Sequence, residues 1–360
     1  MYFSSENWAG AHPAISEALS AHATGFASAY GTSDLDREVE HHFSEIFERD
    51  VAVFYVSTGT AANALALTVV AKPGGVVFAH RDAHIVVTEG GAPEYLSGQL
   101  RLATVDGVHG KINAHQLRRQ IKEMADGDVH GGRPVAISVS QSTESGAVYS
   151  TAELDTISAV ARDFNLALHM DGARFANALV TLGCSPAEMT WKRGVDMLSF
   201  GATKNGCWCA EAVLLFDPAS AKAAEFTYTL KRSAQLFSKT RFISAQLKAY
   251  FSNDLWLTVA QQSNSKARLL AEAFAGLDPR HARLARQPET NELFAILNSQ
   301  LITALRAKGA VFCEWPLSSG FEDTADDEQL CRFVTCFATT AEHIRGFRDV
   351  LHAATIEPQS

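Results

Sequence analysis

A single lysine, Lys204, interrupts the apolar stretch SFGATKNGCWCAEAVLLF, residues 199–216, with Gly201 and Gly206 on either side. A lysine at the dry end of a strand has its pKa lowered by desolvation, which leaves a nucleophilic amine suited to Schiff-base chemistry. The plainer explanation is a surface lysine whose stem lies on apolar neighbours. In LHMDGAR, residues 168–174, an apolar run ends in Asp171, with Arg174 three residues on. A carboxylate at the C-terminal end of a parallel strand lies over the ligand crevice of such a sheet. An ion pair, a metal ligand and a cofactor contact all remain open for it. YVSTGTAAN, residues 55–63, reads as a strand, a turn of small hydroxyls and a helix start. Free N–H groups there, with Thr58, Gly59 and Thr60, make an anion site. The stretch matches neither the P-loop nor GxGxxG, so it suits one phosphate, unless it is only a capped helix. An amine, an acid and a one-phosphate site at one sheet edge fit pyridoxal 5′-phosphate (PLP), which needs all three.

The elements that must position these groups are legible as periodicity. LDREVEHHFSEIF spaces Leu35, Val39, Phe43 and Phe47 four apart, a helical stripe. VAVFYV, GGVVFA, RLATVD, PVAISVS, NLALHMD, VDMLSFG and EAVLLFD read as buried strands separated by helical segments. That alternation predicts an α/β fold with a largely parallel sheet covered on both faces. After about residue 220 the texture changes. A long helical region over 219–275 is expected, followed by an α+β pattern that includes LFAIL, VFCEW and CRFVTCF. We expect a large cofactor-binding domain over 14–246, and a small domain over 247–360 joined by segment 1–13.

The chain has 360 residues, is 47% hydrophobic and carries a net charge of −9. An acidic chain without a basic block argues against nucleic acid or an anionic membrane as a partner. No apolar run has the length of a membrane span, and the N-terminus lacks a signal-peptide pattern. The six cysteines lack zinc spacing and read as free thiols of a reducing cytoplasm; no metal set is expected. His12 and His169 read as structural.

The residues SSENWAGAHP, YGTSD, STGTAAN, AHIVVTEGGA, LHMDGARFANA, SFGATKNG and CRFVT run in one order through nearly the whole chain. In this the sequence resembles the threonine aldolases, in the fold-type-I PLP group shared with aspartate aminotransferase-like enzymes. The resemblance implies PLP covalently bound to Lys204, Asp171 on its pyridine nitrogen, and Arg174 near its phenolic oxygen. Thr58, Gly59 and Thr60 would hold the phosphate, with Thr203 adding a hydroxyl. His84 would stack on the ring and handle the proton of a β-hydroxyl, with Glu89 behind it. Arg332, with Ser5, would clamp the substrate carboxylate. An arginine inside CRFVTCF is costly to bury unpaired and should in any case face an anion. Arg241 would reach a phosphate across a subunit interface, which implies a homo-oligomer, a dimer or tetramer with shared active sites. The expected activity is retro-aldol cleavage of β-hydroxy-α-amino acids to glycine and an aldehyde. The alternatives are a β-eliminating lyase or aminotransferase, or a non-catalytic PLP-binding relative. Glu6 stands where many members carry Asp. Thr143 and Glu144 replace a frequent His or Asn, and Cys207 and Trp208 replace small residues, which bears on the aldehyde pocket.

Overall fold

The computed structural model describes residues 1–98, 100–125 and 129–356; the last residues of the expected small domain, 357–360, lie outside them. Seven strands form the larger sheet: β1 Ala52–Val56, β2 Gly75–His80, β3 Leu100–Val105, β4 Arg133–Ser140, β5 Ala167–Gly172, β6 Met197–Gly201 and β7 Glu211–Leu215. Their order is β1-β7-β6-β5-β4-β2-β3. Strands β2 to β6 pair in parallel, and β7 runs antiparallel to both β1 and β6. β2, β6 and β7 are buried along their whole length, as strands with both faces covered must be.

Local signals set the helices. Ser33 with Asp36, and Ser150 with Glu153, close capping boxes at the starts of Asp34–Ile46 and Thr151–Asp163. Ile15, Phe43, Phe47, Phe175, Phe200 and Trp256 join the strands in the main core. The expected helical region over 219–275 is built of three helices, Ala221–Arg232, Arg241–Phe251 and Leu255–Glu272. Ala234, Asn253 and Asp254 adopt positive φ between them, which reverses the chain without Gly or Pro.

The second sheet has β8 Ala282–Arg286, β9 Glu292–Asn298, β10 Cys313–Glu314 and β11 Glu328–Val334, in the order β10-β11-β9-β8 and antiparallel throughout. Its apolar cluster includes Phe3, Leu270, Leu297, Phe333 and Phe347. The N-terminal segment is tied to this sheet: Phe3 N donates to Val311 O, and Val334 N donates to Phe3 O, both at 2.8 Å. Among the described residues no helix is long and apolar enough to cross a membrane.

Candidate active site

Parallel strands deliver their last residues to one edge, and the site is built from those residues. Val56, His80, Ser140, Asp171 and Gly201 lie at the C-terminal ends of β1, β2, β4, β5 and β6. The loops beyond them enclose a cleft of about 300 Å³ lined by Thr58, Gly59, Thr60, His84, Asp171, Arg174, Thr203 and Lys204. Eight of the eleven expected site residues therefore meet in one place.

Lys204 sits in the short turn Thr203–Asn205 directly after β6. Asn205 anchors that turn by donating to Tyr250 Oη at 2.7 Å and Trp256 O at 2.8 Å. Gly206 has φ +104°, and a Cβ on Gly201 would stand 2.9 Å from Ala173 Cα. Glycine is thus required at both flanks, once for conformation and once for the close approach of the Asp171 loop. Lys204 Nζ makes no hydrogen bond to any described residue, although Glu6, Glu211 and Glu292 all feel its charge.

Asp171 is buried, with both oxygens held. Oδ1 accepts from Ala173 N at 3.0 Å, and Oδ2 accepts from Asn63 Nδ2 at 2.8 Å. Asn63 Nδ2 also donates to Glu89 Oε1 at 2.8 Å, and Glu89 meets His84 Nδ1 at 2.8 Å. This chain fixes the imidazole while leaving His84 40% exposed toward the cleft. His169 lies beneath, between Ser138 Oγ at 2.8 Å and Ser199 Oγ at 2.9 Å, and burial drives it down to about 4. It stitches β4, β5 and β6 together as a neutral ring. His12 caps the helix Pro13–Ala21, so both histidines are structural as expected.

Thr58 caps the helix Gly59–Thr68 by accepting from Ala61 N at 3.0 Å. A Cβ on Gly59 would meet only Glu211 Oε2, at 3.9 Å, so the backbone at the start of this helix is open on that side. A ten-residue helix with free N–H groups facing an open cleft suits an anion.

Arg174 pairs with Glu6 at 2.7 Å and with Glu292 at 3.1 Å. Burial alone would raise the Glu6 carboxyl, but Arg174 and Lys204 outweigh it and bring it down to about 2. Arg332 and Ser5 are not brought into the cleft lining. Arg332 lies one carboxylate further out, 3.4 Å from Glu292, with its guanidinium 3.9 Å over the Trp315 ring. Its Nε is buried without a partner. Ser5 caps the turn Glu6–Trp8 and borders a neighbouring cavity with Tyr2, Trp8 and Cys336. Arg241 is remote from its own chain's cleft and donates to Gly25 O at 3.0 Å.

Comparison with known proteins places the chain in a family. The beta-eliminating lyase family matches residues 3–300. A low specificity L-threonine aldolase of Pseudomonas aeruginosa is 37% identical over 349 residues, 97% of this chain and 96% of the relative. The chain belongs to the beta-eliminating lyase and threonine aldolase family. The Leishmania major threonine aldolase structure superposes with a TM-score of 0.89 at 26% identity, covering 98% of this chain and 99% of that one. The Oryza sativa TDC structure with PLP, at 12% identity and TM-score 0.73, covers 98% of this chain and 82% of that one and speaks for the fold alone.

In this family member's cleft the role of Asn63 went unread in the sequence, and Glu144 was read only as bearing on the aldehyde pocket. Asn63 stands one helical turn beyond Gly59, so the STGTAAN motif carried it without revealing that it bridges Asp171 and Glu89. Glu144 follows β4. Its Oε1 accepts from His84 N at 2.8 Å and Ser140 Oγ at 2.9 Å, while Oε2 is buried without a partner. Burial, then Asp171, pushes this carboxyl up from 4.5 to about 7. Because its folded value lies above the unfolded one, the stability it confers is present below pH 4.5 and lost as pH rises through 7. In cofactor-free protein, Glu144→Gln will raise stability more at pH 8 than at pH 5, by up to about 3 kcal/mol. Denaturant midpoints at the two pH values check this, and equal changes at both would refute it.

Proposed function

We propose that this protein is a PLP-dependent aldolase that cleaves β-hydroxy-α-amino acids, of the L-threonine, L-allo-threonine or L-phenylserine type, to glycine and an aldehyde. One observation carries the reading. A chain 37% identical to a low specificity L-threonine aldolase has its unbonded lysine, held aspartate and open helix N-terminus in one cleft. The residues present suit PLP: Lys204 to bind it covalently, Asp171 for its pyridine nitrogen, and Thr58, Gly59, Thr60 and Thr203 for its phosphate. When bound, PLP supplies an electron sink for the pair released by the Cα–Cβ bond.

The chain's own residues do the rest. Arg332 stands one carboxylate beyond the cleft lining, and its unpartnered Nε is the donor left to receive the substrate carboxylate, with Ser5 in the neighbouring cavity. Arg174 lines the cleft itself. His84, or a water it positions, takes the β-hydroxyl proton as the aldehyde departs. Glu89 and Asn63 keep its ring aimed into the cleft, and Glu144 Oε2 is a second acceptor at the same end. A proton returned to Cα gives glycine.

His84→Asn should lower kcat/KM for threonine cleavage by ~10²–10⁴ while the protein still binds PLP. Unchanged kcat/KM would remove His84 from the mechanism. Glycine and aldehyde release from threonine, allo-threonine and phenylserine isomers tests the whole reading. Pyruvate and ammonia from the same substrates would instead mark a β-eliminating lyase.

We further infer that the enzyme acts in the cytoplasm as a homo-oligomer, dimer or tetramer. Arg241 supports this, since it lies outside its own chain's cleft and borders a separate cavity with Thr24 and Phe26, where its guanidinium is held by Gly25 O. Phe26 is fully exposed, as are most of Tyr95 and Tyr228, which suits burial between copies.

A further inference from the structure

Glu211 stands at the anion end of the cleft, and the mechanism above gives it no work. It is the first residue of β7. Because β7 runs against its neighbours, Glu211 pairs with Val56 of β1 and Gly201 of β6 at the functional edge. Its side chain is buried and lines the same cleft as Thr58, Gly59 and Lys204. Oε1 accepts from Thr203 N at 3.3 Å, and Oε2 faces the first residue of the anion-binding helix, 3.9 Å from a Cβ built on Gly59. An acid therefore sits where the fold offers N–H groups to an anion. A carboxylate and a phosphate dianion confined together repel, and only a cation or a proton resolves the conflict.

Among the described residues, the groups facing Glu211 supply no spare cation. Lys204 and Asp171 act on it from the cleft. Lys204 is committed to the cofactor carbonyl in the proposed function, and Asp171 is itself an acid. Cys207 and Cys209 lie on the preceding loop, with thiols pushed up by burial and by Glu211. Tyr250 approaches from the helix Arg241–Phe251, and its hydroxyl accepts from Asn205.

We propose that Glu211 is a neutral carboxylic acid in the PLP-bound protein and donates its proton in a hydrogen bond to the phosphate. PLP binding then takes up one proton at Glu211 whenever that group starts ionised: carboxylate, proton and phosphate dianion become acid hydrogen-bonded to phosphate. This rests on the PLP reading above. Burial already holds the empty-site carboxyl up at about 7, against the pull of Thr203 and Lys204.

The test uses the full chain, with PLP and pyridoxal, which lacks the phosphate, as probes. Dissociation constants are measured between pH 6 and 8.5 for wild type and Glu211→Gln. For PLP, the wild-type Kd is expected to carry an extra rise of up to ~tenfold per pH unit above 7 that is missing in Glu211→Gln. The variant then binds PLP up to about thirtyfold more tightly than wild type at pH 8.5, with little difference near pH 6. For pyridoxal, the two proteins show the same pH dependence. A structural cap on Thr203 alone would leave the PLP curves parallel, and parallel curves overturn the proposal. If the variant does not fold, calorimetry of wild type in buffers of different ionisation enthalpy decides. At pH 8.5, PLP is expected to take up about one more proton than pyridoxal; equal uptake overturns the proposal. Absence of PLP binding by wild type at every pH would overturn the cofactor reading itself.

Discussion

Lys204→Ala is expected to purify without the visible absorbance of lysine-bound PLP and to cleave threonine at least ~10⁴-fold more slowly than wild type. The size follows from what the amine has to do. In the proposed function it captures the cofactor covalently, and without it the cofactor has no covalent anchor in the cleft. The loss should be chemical rather than structural. Lys204 Nζ bonds to no described residue, and the turn that carries it is held by Asn205, Gly201 and Gly206. The cofactor-free variant should therefore unfold within about 0.5 kcal/mol of wild type, as substitutions away from structural contacts usually do. A variant that keeps the visible band would sink the assignment of Lys204. A variant that loses the band but also loses stability would show that the turn depends on the amine after all.

The site was readable where a polar residue ended an apolar run. Lys204, Asp171 and the Thr58–Gly59–Thr60 turn each close a strand, and parallel strands place such ends together. The groups that escaped notice depend on direction and register, which periodicity does not encode. Glu211 opens EAVLLF, and nothing in those residues says that β7 runs backward and so brings its first residue, rather than its last, to the site. Glu144 was noticed only as bearing on the aldehyde pocket; its contacts with His84 and Ser140 were not, because it lies in a loop, where position follows from neighbouring backbone rather than from spacing. Arg332 was expected to face an anion, and it does, but the nearest one is Glu292 on the adjacent strand β9. The helical region expected over 219–275 is present, but its division into three helices was not legible, because Asn253 and Asp254 turn the chain through positive φ, a conformation their side chains tolerate and a helical pattern conceals.

Asp171→Asn is expected to lower kcat/KM by ~10³-fold and, separately, to shift the pH behaviour of its neighbours. Catalytically, an amide in place of the carboxylate cannot hold a proton on the pyridine nitrogen, so the cofactor loses its pull on the Cα–Cβ electron pair. The shape of the site changes little, because Asn keeps an acceptor for Ala173 N or Asn63 Nδ2. Electrostatically, Asp171 is one of the groups that raise Glu144, Glu89 and Glu211. Removing its charge must lower all three, so the pH-linked loss of stability assigned to Glu144 moves below pH 7 in the cofactor-free variant. Asn63→Ala makes the contrast. It leaves the Asp171 charge in place and removes the donor shared with Glu89, so activity should fall less, while Glu89, losing a hydrogen bond that lowers it, should titrate higher. Activity of Asp171→Asn within threefold of wild type would exclude Asp171 as the pyridine partner. An unmoved stability profile would mean that burial alone holds Glu144 up.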